Sequence, residues 1–138
     1  MKQITIEVEG VAVTAKLNDE VAPKAVGLVW KSLPLTAPLR HARWSGSAAY
    51  LSAPELRDPA LAPENRVSFP RPGTLCLLPS EGEIMFAYGG ECQARTRAGN
   101  VWVSDFGEIE GDTTRFFALL AETQSKGRKT MTIRGVEG

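Results

Sequence analysis

His41 and Arg43 are the two residues whose types and spacing offer the clearest chemistry in this sequence. They stand two positions apart in the segment His41-Ala-Arg-Trp-Ser-Gly46. Residues two apart on a β-strand leave the same face, so we expect the imidazole and the guanidinium to lie side by side. Such a pair could bind a carboxylate, with His41 titrating near neutral pH as acid or base. A structural role is an equal alternative: the histidine hydrogen-bonded at the edge of the fold, the arginine paired with a glutamate.

Two aromatic and two titratable side chains could complete such a site. Trp44 and Trp102 could form walls of a pocket, although large aromatics on strands often belong to the core, as we expect for Trp30. Glu83 and Tyr88 bracket an apolar run and could transfer protons, but a solvated strand end explains both equally well. The predicted ligand-binding set is therefore His41, Arg43, Trp44, Glu83, Tyr88 and Trp102, with His41 and Arg43 as the catalytic candidates. We assign Arg95 and Arg97, near Gly99, to a solvated turn.

Metal and serine-nucleophile chemistry have little support. The cysteines, Cys76 and Cys92, are 16 residues apart, and His41 is the single histidine of the chain. That set does not make a zinc site, and no metal or other cofactor is expected. Cys76 lies in an apolar run and is assigned to the core. Ser45 and Ser47 lack the G-x-S-x-G turn of a hydrolase.

Length and charge limit the classes of partner. The 138 residues are enough for one domain, which we place at 1–138, and 43% of them are hydrophobic. Sixteen basic and sixteen acidic residues leave no net charge, which argues against nucleic acid and anionic membranes as partners. The N-terminal segment alternates polar and apolar residues, unlike a signal peptide, so a cytoplasmic location is expected.

The hydrophobic pattern predicts a mainly β protein with two helices. Helices are expected at 21–33, ended by Pro34, and from Asp112 to Lys126. Ala53 to Pro72 contains five prolines and is predicted to be a long, semi-rigid surface loop. Strands are expected at 4–8, 11–17, 39–44, 47–51, 74–78, 83–88, 100–106 and 130–134. About eight strands suit a closed barrel, because closure removes exposed edges, with one helix capping each mouth.

Three short motifs in this order resemble the cyclophilin-like barrel. They are Ala22-Pro23-Lys24, Pro72-Gly73-Thr74-Leu75, and Phe106-Gly107 with Gly111 before the second helix. Leu33-Pro34-Leu35 followed by residues 41–46 further resembles a family of uncharacterised bacterial cyclophilin-like proteins, for which no activity is settled. True prolyl isomerases carry Phe-His-Arg and Phe-Met-x-Gln segments, of which only Arg43 has a counterpart here. The resemblance therefore implies the barrel and makes efficient prolyl isomerisation unexpected.

Several functions stay open from the sequence. The leading hypothesis is a small-molecule-binding protein whose ligand is an anionic metabolite. A second is an enzyme acting on a small amide, ureide or keto compound, with His41 as acid or base and Arg43 holding the anion. Residual prolyl isomerisation is a third. An interaction subunit or homo-oligomer that uses the proline-rich loop 53–72 is the fourth.

Overall fold

Strands account for most of the regular structure. The computed structural model describes residues 2–136. The helices are α1 (Pro23–Lys31) and α2 (Thr114–Lys126), and a short 3-10 turn spans Pro54–Leu56. The strands are β1 (Gln3–Val8), β2 (Val11–Leu17), β3 (Leu35–His41), β4 (Gly46–Ser52), β5 (Arg66–Val67), β6 (Thr74–Leu78), β7 (Glu83–Cys92), β8 (Arg95–Thr96), β9 (Gly99–Asn100), β10 (Val103–Glu110) and β11 (Lys129–Val136).

Eight of these strands close into an antiparallel barrel. Their order is β2-β1-β11-β3-β4-β7-β6-β10, and pairing of β10 with β2 completes the ring. Strand β5 adds two residues to β10, while β8 and β9 form a separate small hairpin. The predicted closed barrel of about eight strands is confirmed.

Alternation along the strands fills the barrel interior. On β1, Ile4, Ile6 and Val8 are buried while the residues between them are partly exposed. Because successive side chains leave opposite faces of a strand, this period of two turns one apolar row inward. Large side chains such as Phe86 and Phe106 occupy the middle of the same core.

The two helices contribute side chains to this core from opposite ends of the barrel. Helix α1 connects the end of β2 to the start of β3, and its Ala25 and Val29 are fully buried. Helix α2 connects β10 to β11 and buries Phe116 and Leu120. The predicted helices are confirmed in place. However, α1 begins at Pro23, which leaves Val21 outside it and exposed.

The proline-rich segment 53–72 supplies the N-terminal cap of α1. The residue before this helix is Ala22, which has no side-chain oxygen to satisfy the free amides of the first turn. The carboxylate of Glu64 accepts hydrogen bonds from the backbone amides of Lys24 (2.9 Å) and Ala25 (2.8 Å). The segment holds one helical turn and β5, and it is otherwise the predicted loop, fastened to a helix 40 residues away in sequence.

A second apolar cluster lies on the outer side of β6 and β7. Ile84 and Phe86 of β7 point into the barrel, whereas Met85 and Ala87 point outward and are also buried. Cys92, Ala94 and Val103 belong to this outer cluster. The predicted core position of Cys76 is confirmed, and burial raises the pKa of its thiol to about 12.

Candidate functional site

An open cleft of about 1080 Å³ lies against the outer side of β3, β4 and β7. Its floor is formed by Arg40, Tyr50 and Met85, which are direct neighbours across the three strands. Their chain neighbours Leu39, Leu51 and Ile84 are buried in the barrel core. The charged side chains of the lining are Arg40, Arg43, Arg95, Arg97, Arg128, Glu81 and Glu83, and we call this site the arginine cleft.

Four separate segments bring the five arginines together. Arg40 lies on β3 and Arg43 in the loop 42–45 that follows it. Arg95 and Arg97 lie on the small hairpin of β8 and β9, and Arg128 lies between α2 and β11. The cleft therefore exists only once the barrel has closed and α2 has been added.

The two loops that carry Arg43 and Arg95 are joined through Ser45. The Ser45 carbonyl accepts a hydrogen bond from the Gln93 amide (3.0 Å), and its hydroxyl oxygen accepts one from the Arg95 amide (3.3 Å). Gly46 follows with a φ of +88°, and a Cβ there would collide with the Glu91 carbonyl oxygen. Only glycine permits this close approach, so the loops are held together before any ligand arrives.

None of the five arginines forms an ion pair within residues 2–136. The salt bridges of that region, drawn at a limit of 4.0 Å, involve Lys2, Lys16, Lys126, Lys129 and Arg134 instead. Arg95 donates a hydrogen bond from Nη2 to the Gln93 side-chain oxygen at 2.6 Å. Five guanidinium groups against two carboxyl groups make the cleft electropositive, although the whole chain has no net charge.

Both ring nitrogens of His41 have protein partners. Nδ1 lies 2.9 Å from the Ala42 carbonyl oxygen, and Nε2 lies 2.6 Å from the Tyr88 hydroxyl. Since a carbonyl can only accept, Nδ1 is the donor to Ala42, and in that tautomer Nε2 accepts a hydrogen bond from the Tyr88 hydroxyl. The rings meet edge to face at 5.8 Å. His41 is thus occupied, in contrast to the free acid or base expected beside Arg43.

The predicted common strand face of His41 and Arg43 is wrong. The sequence placed a strand at 39–44, but β3 runs from Leu35 to His41 and Arg43 lies beyond its end. The rule that residues two apart share a face applies only within a strand. Both residues still line the arginine cleft, brought there by the loop.

Glu83 is a carboxyl group of the cleft whose pKa is raised toward neutral pH. Burial raises its pKa from 4.5 to about 7, and the neighbouring negative charge of Glu81 acts in the same direction. The neutral form of a carboxyl is favoured when the charged form loses hydration. Burial also raises the pKa of Tyr88. The cleft therefore contains an acid or base suited to neutral pH, and it is Glu83.

The structure places four of the six predicted site residues in the lining of the arginine cleft, one beside it and one outside it. His41, Arg43, Trp44 and Glu83 line the arginine cleft. Tyr88 contacts it through its hydrogen bond to His41. Trp102 is outside the lining set, and its ring packs against the Arg66 guanidinium at 4.7 Å.

Sequence reasoning missed Arg40 and Arg128 and placed Arg95 and Arg97 in a solvated turn. The last two are exposed and do lie on a turn, yet that turn folds over the cleft. Nothing in their spacing marks them, because β8 ends at Thr96 and Arg97 lies in the turn that follows. Nothing local marks Arg40 or Arg128.

Two further searches gave negative findings over the described part of the chain. No three His, Cys, Asp or Glu side chains of residues 2–136 are grouped so that they could hold a metal ion. No helix there is long and apolar enough to span a membrane.

A closed antiparallel barrel with a helix over each end and a cleft on its outer face has the cyclophilin-like fold. The chain belongs to the family described as protein of unknown function DUF3830, whose profile matches residues 4–137. Among curated proteins, none matches the chain significantly.

Two solved structures with the same fold are similar to this chain. One is McbB in complex with tryptophan, which is 20% identical, with a TM-score of 0.74 over 95% of this chain. The chain spans only 44% of the length of McbB. The other is the hypothetical protein AF2241 from Archaeoglobus fulgidus, which is 14% identical, with a TM-score of 0.61. That match covers 96% of this chain and 93% of AF2241.

Proposed function

We propose that this protein binds a small anionic metabolite, through a carboxylate, in the arginine cleft. The observation that carries the proposal is the convergence of five arginines, with no ion pair to any of them within residues 2–136. Like charges around one concave surface repel each other, and an anion relieves that repulsion. Guanidinium groups also bind carboxylates through paired hydrogen bonds.

The cleft offers apolar contacts as well as charge. The side chain of Trp44 is 48% exposed and lines the cleft. Tyr50 and Met85 supply part of the floor. An aromatic carboxylate would therefore satisfy both kinds of surface. Tryptophan is the first probe to use, because it has these two features and is the compound named with McbB.

The test is titration of the purified protein with carboxylates by calorimetry. Tryptophan, phenylpyruvate, benzoate and succinate form the panel. Arg43→Gln and Arg97→Gln should each weaken the tightest ligand at least tenfold, which is the loss of about one charge-assisted hydrogen bond. The matched control is Arg134→Gln, an exposed arginine on β11 that pairs with Glu7 outside the cleft. An absence of binding across the panel, or equal losses in all three variants, would contradict the proposal.

An enzyme is the second candidate, and Glu83 is the observation that favours it. A carboxyl group with a pKa of about 7 in a cleft that attracts anions could serve as general acid or base for a small amide, ureide or keto compound. In this version the guanidinium groups hold the anion. His41, held by Tyr88, positions the 42–45 loop rather than moving a proton.

Turnover separates an enzyme from a binding protein. A panel of such compounds should show a rate that depends on one group with a pKa near 7. Glu83→Gln should abolish that rate at every pH, whereas His41→Gln should retain most of it. Loss of the pH dependence in His41→Gln alone would return the proton-transfer role to the histidine.

A further inference from the structure

The charges of the arginine cleft are separated into two groups along the sheet. Gly46 of β4 lies opposite Cys92, next to the loops that carry Arg43 and Arg95. Ser52, six residues further along β4, lies opposite Glu83. At about 3.3 Å per residue, the two ends are roughly 20 Å apart along the strand.

The arginine end receives its charges from two segments. Arg43 and the pair Arg95 and Arg97 lie on loops that are joined through Ser45, beside Gly46. Glu81 and Glu83 occupy the other end. Arg40 lies between the two ends, level with Tyr50 and Met85 in the strand register. Arg128 lies at a similar level, because the next residue, Lys129, is opposite Leu39.

These opposite charges do not neutralise each other. Neither Glu81 nor Glu83 is within 4.0 Å of a basic group in residues 2–136. Across 20 Å of water, two unit charges interact by only about 0.2 kcal/mol, and salt screens even that. Glu83 is also partly buried, so its carboxylate has lost hydration without gaining a cation. Each end of the cleft therefore lacks a counter-charge of its own.

We propose that the ligand of the arginine cleft is elongated and bipolar, with a carboxylate at the arginine end and a protonated amine at the Glu81 and Glu83 end. Its middle is apolar or aromatic and lies over Tyr50 and Met85. The chemical class is an amino carboxylate whose two charges are well separated, such as an ω-amino acid or a short peptide with free termini. The inference rests on the proposed anion-binding function and narrows it.

A series of ω-amino acids measures the spacing directly. Calorimetric titrations at about pH 8.5, where Glu83 is ionised, would use glycine, γ-aminobutyrate, ε-aminocaproate, ω-aminocaprylate and ω-aminolaurate. Affinity should rise with length to an optimum at least tenfold above glycine. At the optimal length, the carboxylic acid without the amine should bind at least fivefold more weakly, as should the alkylamine without the carboxylate.

Variants then locate the two contacts. Glu83→Gln should remove the advantage of the amine and leave the plain carboxylic acid bound as well as before or better. Arg43→Gln should weaken both compounds. Glu55→Gln is the control, because Glu55 is an exposed glutamate on the 3-10 turn outside the cleft.

The outcomes separate this inference from the function on which it rests. If, at every chain length, the plain carboxylic acid binds as tightly as the ω-amino acid, the bipolar ligand is refuted and anion binding stands. If affinity does not change with length, or the amine advantage persists in Glu83→Gln, the assignment of the amine end is refuted. If no carboxylate binds at all, the proposed function itself fails.

Discussion

The raised pKa of Glu83 has a direct effect on stability that does not depend on any ligand. A carboxyl whose pKa is higher in the folded than in the unfolded chain is favoured by folding in its neutral form. Its contribution is fully present below about pH 4.5 and is lost as the pH rises through about 7. The protein should therefore lose stability between these values because of this one side chain.

The structure gives the size of the effect. A rise from 4.5 to about 7 would correspond to roughly 3 kcal/mol if none of it were screened. Glu83 opens into a solvent-filled cleft, so about 1–2 kcal/mol is the appropriate expectation. The other titratable or charged groups that line this part of the cleft are Glu81 in the preceding turn, Tyr50 on β4 and Arg40 on β3.

The measurement compares the wild-type protein with Glu83→Gln. Urea unfolding, followed by the fluorescence of the three tryptophans, gives the free energy of unfolding at several pH values from about 4 to 8.5. The amide keeps the shape of the neutral carboxyl and cannot ionise. Glu83→Gln should therefore match the wild type near pH 4 and exceed it by about 1–2 kcal/mol near pH 8.5.

Taking the difference between the two proteins removes the contributions of other groups. Burial also raises the pKa of Asp105, for example, and that term is present in both proteins. Glu55→Gln, an exposed change outside the cleft, is again the control for the effect of replacing a carboxyl by an amide. A flat difference for Glu83→Gln would refute the argument that desolvation controls this carboxyl, and the second candidate function would lose its support.

Three further predictions concern the cap, the loop junction and the buried thiols. Glu64→Ala should cost about 1–2 kcal/mol in urea unfolding, because two first-turn amides of α1 lose their acceptor, and an unchanged free energy would contradict the capping role. Gly46→Ala should cost more than about 2 kcal/mol, because its Cβ would meet the Glu91 carbonyl oxygen and its φ is positive, so a neutral substitution would show that the loops are not held as described. Cys76 and Cys92 should react with a thiol reagent only at the rate of unfolding, since both are buried and burial raises both pKa values; rapid labelling of the native protein at about pH 8 would contradict this.

The parts of the fold that depend on local sequence could be predicted. Alternation in β1 and β2 and the helical spacing of Phe116 and Leu120 each reflect the period of one element. The boundary of β3 could not be predicted, because its start after Pro34 depends on pairing with β11. The end of β3 could not be predicted either, because the pairing with β4 stops at His41 opposite Ala49, which leaves Arg43 off the strand.

The site was less predictable than the fold because its members meet through distant contacts. The Tyr88 hydroxyl that occupies His41 lies 47 positions away in sequence. Arg95, Arg97 and Arg128 reach the cleft only because a hairpin and the end of α2 lie beside the outer face of the sheet. The residue types suggested anion chemistry, and the closed barrel determined which arginines are available for it.

The position of β11 has a consequence for how the chain folds. This strand is the last one along residues 2–136, yet it lies between β1 and β3, with Gln3 opposite Val136 and Leu39 opposite Lys129. During synthesis, β1 and β3 must therefore wait with unpaired edges until more than a hundred residues have emerged. Chains whose strands pair over such long sequence separations fold slowly, and their unpaired strand edges are prone to aggregation until pairing is complete. We expect nascent chains arrested before β11 to depend on chaperones and to aggregate when released without them.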